Sequence, residues 1–190
     1  MGLTTIASDR LKLHILRLED AQALFSYASD KEVAAFTSWT AHQDIAASKA
    51  FIQHTIDRHQ EEPGTLHLVW AILPKGERDI IGTISFNQDS PSSGHIDYAL
   101  GRKYWGQGLV TEAVKALVPW VFAKYPQIQN LKSGCLSDNI GSVRVLEKAG
   151  FQVQEKYTKK RGGKFGGQLL ETTTFALSRN TWASASRSQD

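Results

Sequence analysis

Apolar and polar residues alternate early in the chain. Leu11, Leu13 and Ile15 are separated by Lys12 and His14, the two-residue period of a half-buried strand, and predict one over about residues 10–17. The period then changes. Ala21, Leu24, Phe25 and Ala28 recur at helical spacing, and a short turn-and-helix segment follows over residues 30–39. Ile45, Phe51, Ile52 and Ile56 give one apolar face to a helix over residues 44–59, which Pro63-Gly64 is expected to stop. Apolar runs at 66–73 and 80–86, joined by the polar loop 74–79, read as a hairpin, and the turn 90–94 leads into a strand at 95–100. Val110, Val114, Leu117 and Val121 fall at i, i+4, i+7 and i+11, the inward face of a long helix that Pro119 is expected to kink or fray. A strand at 128–136 and a short helix at 139–149 come next. That helix turns Val143, Leu146 and Ala149 inward, with Asp138 or Asn139 as its cap and Gly150 as its stop. Strands at 151–157 and 169–177 complete the series.

This order of elements is mixed α/β. At 190 residues the chain suits one domain, expected over 1–179, with the Ser- and Arg-rich residues 180–190 as a loose tail. The formal net charge is +3, and Lys156, Lys159, Lys160, Arg161 and Lys164 form a basic run punctuated by glycines. It reads as a solvated loop between strands; attraction of a polyanionic cofactor or an acidic partner is the alternative. No aromatic ladder accompanies it, so no nucleic-acid partner is expected. One cysteine, Cys135, excludes an intrachain disulfide framework and cannot build a zinc site alone. His14, His42, His54, His59 and His67 show no metal-ligand spacing, so no metal is expected. The N-terminus lacks a secretory apolar run and no stretch of 18 apolar residues exists, which points away from membranes and toward the cytoplasm.

Candidate chemistry concentrates in Tyr104-Trp-Gly-Gln-Gly-Leu-Val-Thr-Glu-Ala113, between a predicted strand and the long helix. Gly106 and Gly108 let the backbone fold close to a ligand. The helix start behind them offers unpaired N–H groups and a positive dipole end, a site for phosphate oxygens. Glu112, in the first helical turn, complements that dipole.

Three segments together resemble the GNAT-superfamily acetyltransferases, in the RimJ/RimL-like branch of ribosomal-protein alanine acetyltransferases. They are Arg10-Leu-Lys-Leu with Leu16-Arg-Leu-Glu-Asp20 and Ser29-Asp-Lys-Glu-Val33; Ile96-Asp-Tyr-Ala-Leu100 with Tyr104–Ala113; and Asn139-Ile-Gly-Ser-Val-Arg-Val-Leu-Glu-Lys-Ala-Gly-Phe151. The resemblance covers about residues 8–178. It implies a mixed, mostly antiparallel twisted sheet of about seven strands, flanked by about four helices. The fourth and fifth strands of that sheet splay apart. It implies acetyl-CoA as co-substrate and a primary amine as acceptor. The acceptor is a protein N-terminal α-amine or a small molecule such as a polyamine, drug or amino acid; a monomer or homodimer is expected. A non-catalytic acyl-CoA sensor is the rival of another class.

Carried onto this sequence, the pantetheine arm would bond the freed backbone of Tyr98, Ala99 and Leu100. The pyrophosphate would rest on N–H groups of Trp105, Gly106, Gln107, Gly108, Leu109, Val110 and Thr111. Trp105 stands in the family's Gln/Arg slot, so no side-chain phosphate contact is expected there. Asn139 would bond the pantetheine amide, cap its helix, or both. The family's strand glutamate base is replaced by His95, with Asp97 on the same face, and either could hold a water wire; both could equally be solvent-facing strand residues. Ser142 matches a position near the thioester sulfur, with close helix packing as its other reading. The tyrosine acid found four residues later in many members is Leu146 here. Cys135 reads as a small hydrophobe rather than a nucleophile. Phe36, Trp39 and His42 either wall the acceptor mouth or are core residues. Glu32, Asp44, Glu155 and Glu171 are carboxylates that no spacing singles out.

Overall fold

The computed structural model describes residues 5–61 and 66–187. The expected helix stop at Pro63-Gly64 and the first four residues lie outside them. Among the described residues one sheet runs in the order β1-β2-β3-β4-β5-β6-β8-β7. Its strands are β1 (Ile6–Ala7), β2 (Leu11–Ile15), β3 (His67–Pro74), β4 (Gly82–Ser90), β5 (Ser93–Leu100), β6 (Asn130–Leu136), β7 (Gln152–Arg161) and β8 (Gln168–Ser178). Every pairing is antiparallel except β5 with β6. The helices are α1 (Ala21–Ala28), α2 (Lys31–Ala35), α3 (Ile45–Glu61), α4 (Leu109–Lys124), α5 (Ile140–Lys148) and α6 (Arg179–Arg187).

Strand alternation sorts the sheet's residues onto two faces. Leu68, Trp70 and Ile72 on β3, Ile84 and Phe86 on β4 and Ile96 on β5 are buried against Val114, Leu117 and Val121 of α4 and Leu146 of α5. Val69 and Ala71, between them on β3, turn the other way and pack with Leu24 of α1, Val33 of α2 and Ile52 of α3. Each large side chain buried this way contributes about 1.5–3 kcal/mol.

Several expectations change. The two-residue β1 is too short to carry a period, and it makes the strands eight rather than about seven among the described residues. α4 runs through Pro119 to Lys124, because Val118, Val121 and Phe122 on its inner face are buried and hold the last turns. The basic run is not a loop. Lys156 to Arg161 belong to β7, and Lys164 sits in a short 3-10 turn, Gly163–Phe165, at the hairpin tip.

The loose tail expected over 180–190 is helix α6 as far as Arg187, and residues 188–190 lie outside the described residues. Arg179 anchors the helix by donating to the carbonyls of Phe122, Tyr125 and Ile128 at 2.7–3.0 Å while its guanidinium lies 4.6 Å over the Phe122 ring. A cation thereby satisfies the exposed carbonyl end of α4, and Trp182 packs on Phe122. Arg179→Ala should cost about 2–3 kcal/mol in denaturant unfolding, since three carbonyls lose a charged donor. A loss below about 0.5 kcal/mol, the level of ordinary surface changes, would show that the anchor is not structural.

Candidate active site

Strands β5 and β6 run side by side for three pairs, Ser93↔Asn130, Gly94↔Leu131 and His95↔Lys132, and then separate. β5 continues to Leu100 paired with β4, and β6 to Leu136 paired with β8. At the parting point the buried Ser133 hydroxyl donates to Ile96 O at 2.8 Å. Backbone groups alternate between the two edges of a strand. Gly101 N–H donates to Ile81 O, and the Ile96 carbonyl meets Ser133, so Tyr98 and Leu100 turn their N–H and C=O toward the opening. Ala99, expected among the pantetheine-facing groups, turns its own toward β4. The Leu100 carbonyl accepts the Trp105 indole N–H at 2.7 Å, which ties the following loop to the strand end.

In that loop Gly106 and Gly108 both have φ of +74°, a conformation open to glycine and costly to other residues. A Cβ on Gly106 would enter open space. Gly108 caps α4, whose first internal bond is Glu112 N–H to Gly108 O at 3.0 Å. The N–H groups from Gly106 to Thr111 precede that bond and have no intrahelical acceptor. An exposed turn of free donors at a helix start fits phosphate oxygens. Glu112 secures it from behind. Its carboxylate accepts from Ser8 Oγ (2.7 Å), Arg10 N (2.7 Å) and Arg10 Nε (2.6 Å), while Arg10 Nη1 donates to Gln107 O (3.1 Å). Burial would raise the pKa of Glu112, but these donors together outweigh it and hold the carboxyl below its ordinary range.

The predicted chemical residues fall on opposite faces of the sheet. Asn139 caps α5, its Oδ1 accepting Ser142 N–H at 3.1 Å, and the Ser142 carbonyl accepts the Tyr98 hydroxyl at 3.2 Å across the opening. Burial pushes the Tyr98 hydroxyl well above its usual range. Cys135 shares this face half-buried, its thiol pushed up to about 11 by burial and by Asp138, so it is a poor nucleophile. Leu146 is fully buried core.

His95 and Asp97 lie on the other face with Nε2 and Oδ2 at 3.2 Å. Hydrogen bonding to Asp97 raises the His95 pKa above its ordinary value, against the opposing pull of burial. Sequence reasoning missed the hub beside them. The Asn87 amide donates to Ser85 Oγ (3.2 Å) and Asp97 Oδ2 (3.3 Å) and lies 3.3 Å from His95 Nε2, which itself faces Asp97, and its Oδ1 contacts His67 Nδ1. With Asp97 ionised, the amide must turn its NH2 toward the carboxylate, which requires His67 to carry its proton on Nδ1. Burial lowers the His67 pKa, consistent with a neutral ring. The usable signal was alternation: Ser85 and Asn87 share one face of β4 with apolar residues on the other.

Of the aromatic segment, Trp39 and Phe51 flank His42 at ring distances of 5.3 and 5.7 Å, whereas Phe36 is exposed. A cleft of about 580 Å³ opens beside the end of β5, lined by Tyr27, Asp30, Asp79, Gly101, Arg102 and Tyr104; neither His95 nor Asp97 lines it. No group of three or more metal-ligating side chains occurs among the described residues. Nor, among them, is any helix long and apolar enough to cross a membrane.

The family model of the acetyltransferase (GNAT) domain matches residues 10–152. The uncharacterized N-acetyltransferase p20 of Bacillus licheniformis is 28% identical over 186 residues, covering 95% of this chain and 99% of the relative. A GNAT-family acetyltransferase from Bacillus anthracis superposes with a TM-score of 0.80 at 19% identity, over 93% of this chain and 99% of the other. RimL, a ribosomal L7/L12 α-N-protein acetyltransferase solved with coenzyme A, gives 0.78 at 20% identity, over 94% and 99%.

Glu112→Gln should cost about 1–2 kcal/mol at neutral pH. A carboxyl more acidic in the folded than in the unfolded state contributes fully above the ordinary carboxylate pKa of about 4.3, and loses that contribution as pH falls through the lowered folded value. Denaturant midpoints of both proteins should therefore differ at pH 7 and converge in acid; a gap independent of pH would refute this role.

Proposed function

This chain belongs to the GNAT acetyltransferase family, and from that membership we propose that it is an acetyl-CoA-dependent N-acetyltransferase in which a primary amine attacks the thioester directly. The observation that carries the proposal is the parting of β5 and β6 after His95↔Lys132, followed by a glycine turn of free N–H groups. An extended amide-bearing arm suits the opening, where Tyr98 and Leu100 supply backbone partners, and a diphosphate suits the turn at Gly106 to Thr111. RimL, with coenzyme A in its structure, has the same fold and supports this assignment.

The opening lets a donor reach an acceptor waiting on the opposite face. Acyl transfer needs a neutral amine, whereas an α-ammonium has a pKa of about 8 and must first lose a proton. His95 gives its Nε2–H to Asp97 and keeps Nδ1 as the base, directly or through water. The Tyr98 N–H can stabilise the developing oxyanion. On the far side Ser142 stands where the thiolate would leave. A protein N-terminal α-amine is the acceptor we favour, in line with RimL's action as an α-N-protein acetyltransferase, and a small-molecule amine is the other. The work is assigned to the cytoplasm.

Calorimetry of acetyl-CoA binding, run beside thiol release with a panel of amines, tests the assignment; binding without release would make the chain a sensor. His95→Ala should lower kcat/KM about 10²-fold at neutral pH. Because the base must be unprotonated, activity should rise with pH through the raised His95 pKa. Asp97→Asn removes the main cause of that raise, so the acid limb of the profile should move to lower pH. A limb unmoved in both variants would exclude His95 as the titrating group.

A further inference from the structure

The β7–β8 hairpin extends, beyond β6, the sheet face that holds His95 and Asp97. Directly opposed residues share a face, so the pairs His95↔Lys132, Leu136↔Thr172 and Tyr157↔Thr172 put Thr172 and Tyr157 on that side. By alternation Lys159 and Arg161 join them, while Lys156 and Lys160 point to the opposite face. Arg161 does not extend into solvent. Its Nη2 donates to the buried Thr172 Oγ1 at 2.8 Å, and its Nε is buried without an acceptor. At the hairpin tip Lys164 Nζ donates to Ala34 O of α2, beside a cleft of about 300 Å³ lined by Lys31, Lys164 and Phe165. Among the described residues no carboxylate lies within 4 Å of Lys159, Arg161 or Lys164. Glu155 shares the face and still pairs with none of them.

A half-buried guanidinium with an unused N–H is a group waiting for an anion, because an unsatisfied buried donor carries its full desolvation cost. Guanidinium also matches the planar two-oxygen geometry of carboxylates. The two walls of this face are therefore of opposite sign: the Asp97 carboxylate on β5 and the Arg161 cation over β8. Two strand spacings, about 10 Å, lie between β5 and β8, and more where the strands diverge. That span suits the amine and acidic side chain of an extended peptide and exceeds the reach of a free amino acid, whose carboxylate sits two bonds from its nitrogen.

We propose that Arg161 is a specificity-determining residue that receives a carboxylate carried by the amine acceptor, and that the preferred acceptors are peptide amino termini with an acidic residue close behind. This rests on the transferase reading only for the place of the amine, at His95 and Asp97.

The test is binding of two tripeptide amides, Ser-Asp-Ala and Ser-Asn-Ala, and of free glycine to the coenzyme A-saturated protein by calorimetry. Wild type should hold the Asp peptide about tenfold tighter than the Asn peptide, the difference a charge-assisted pair makes, and bind glycine more weakly than either. Arg161→Gln should erase the preference and Arg161→Lys should restore part of it. Lys156→Gln, an exposed cation on the opposite face, should keep it whole. Equal affinities in wild type, no peptide binding, a preference that survives Arg161→Gln, or one lost equally in Lys156→Gln would overturn the proposal. Glycine binding as well as the Asp peptide would overturn the spacing argument. If Arg161→Gln melts early by circular dichroism, the Arg161→Lys comparison decides. Thiol release from acetyl-CoA with the same peptides reads the transferase assignment separately, since the binding preference does not depend on turnover.

Discussion

A sheet that opens in its middle leaves backbone donors and acceptors with no strand to meet, and the rest of this structure is arranged around that opening. Of the groups that β5 turns toward the opening, two carbonyls are met by side chains: Ile96 O by the Ser133 hydroxyl and Leu100 O by the Trp105 indole. Tyr98 crosses the space to bond α5 through Ser142. What is left over is selective: the amide and carbonyl of Tyr98 and the amide of Leu100. An unpaired backbone group away from water costs about as much as a lost hydrogen bond, so such a set persists where a ligand or water completes it.

The two faces then divide the chemistry. Toward α4 and α5 the surroundings are apolar, the Cys135 and Tyr98 protons are held firmly, and the helix start offers N–H groups. Toward α1 and α3 the sheet carries Ser85, Asn87, His95 and Asp97 in one bonded group. The loop and β5 are also tied to the N-terminal strands, since Glu112 binds Ser8 and Arg10 together. A residue near the start of the chain thus sets the position of a turn a hundred residues later.

Much of this was legible in the residue pattern. The α4 face (Val110, Val114, Leu117 and Val121), the Asn139 cap and the glycine turn followed from local rules, because each depends on neighbours within one or two turns of chain. What failed depended on distant contacts. β1 is two residues long, and only its pairing with β2 defines it. The basic run looked like a solvated loop because charge says nothing about whether β8 pairs beside it. Trp182 looked like a tail residue because the ring it meets, like the carbonyls that Arg179 holds, lies more than fifty positions away. Alternation marked Asn87 as polar-faced but not as a hub, for the same reason: His67, His95 and Asp97 reach it from two other strands, β3 and β5.

The place of β8 bears on how the molecule is made. It lies between β6 and β7 although it is the last of the described strands, and among the described residues β7 pairs with it alone. While a growing polypeptide has yet to deliver residues 168–178, β6 lacks its main neighbour and β7 has nowhere to dock. Completion of the sheet, and the clasp of Arg179 that follows at once, must therefore wait for residues 168–179, however early the preceding strands pair.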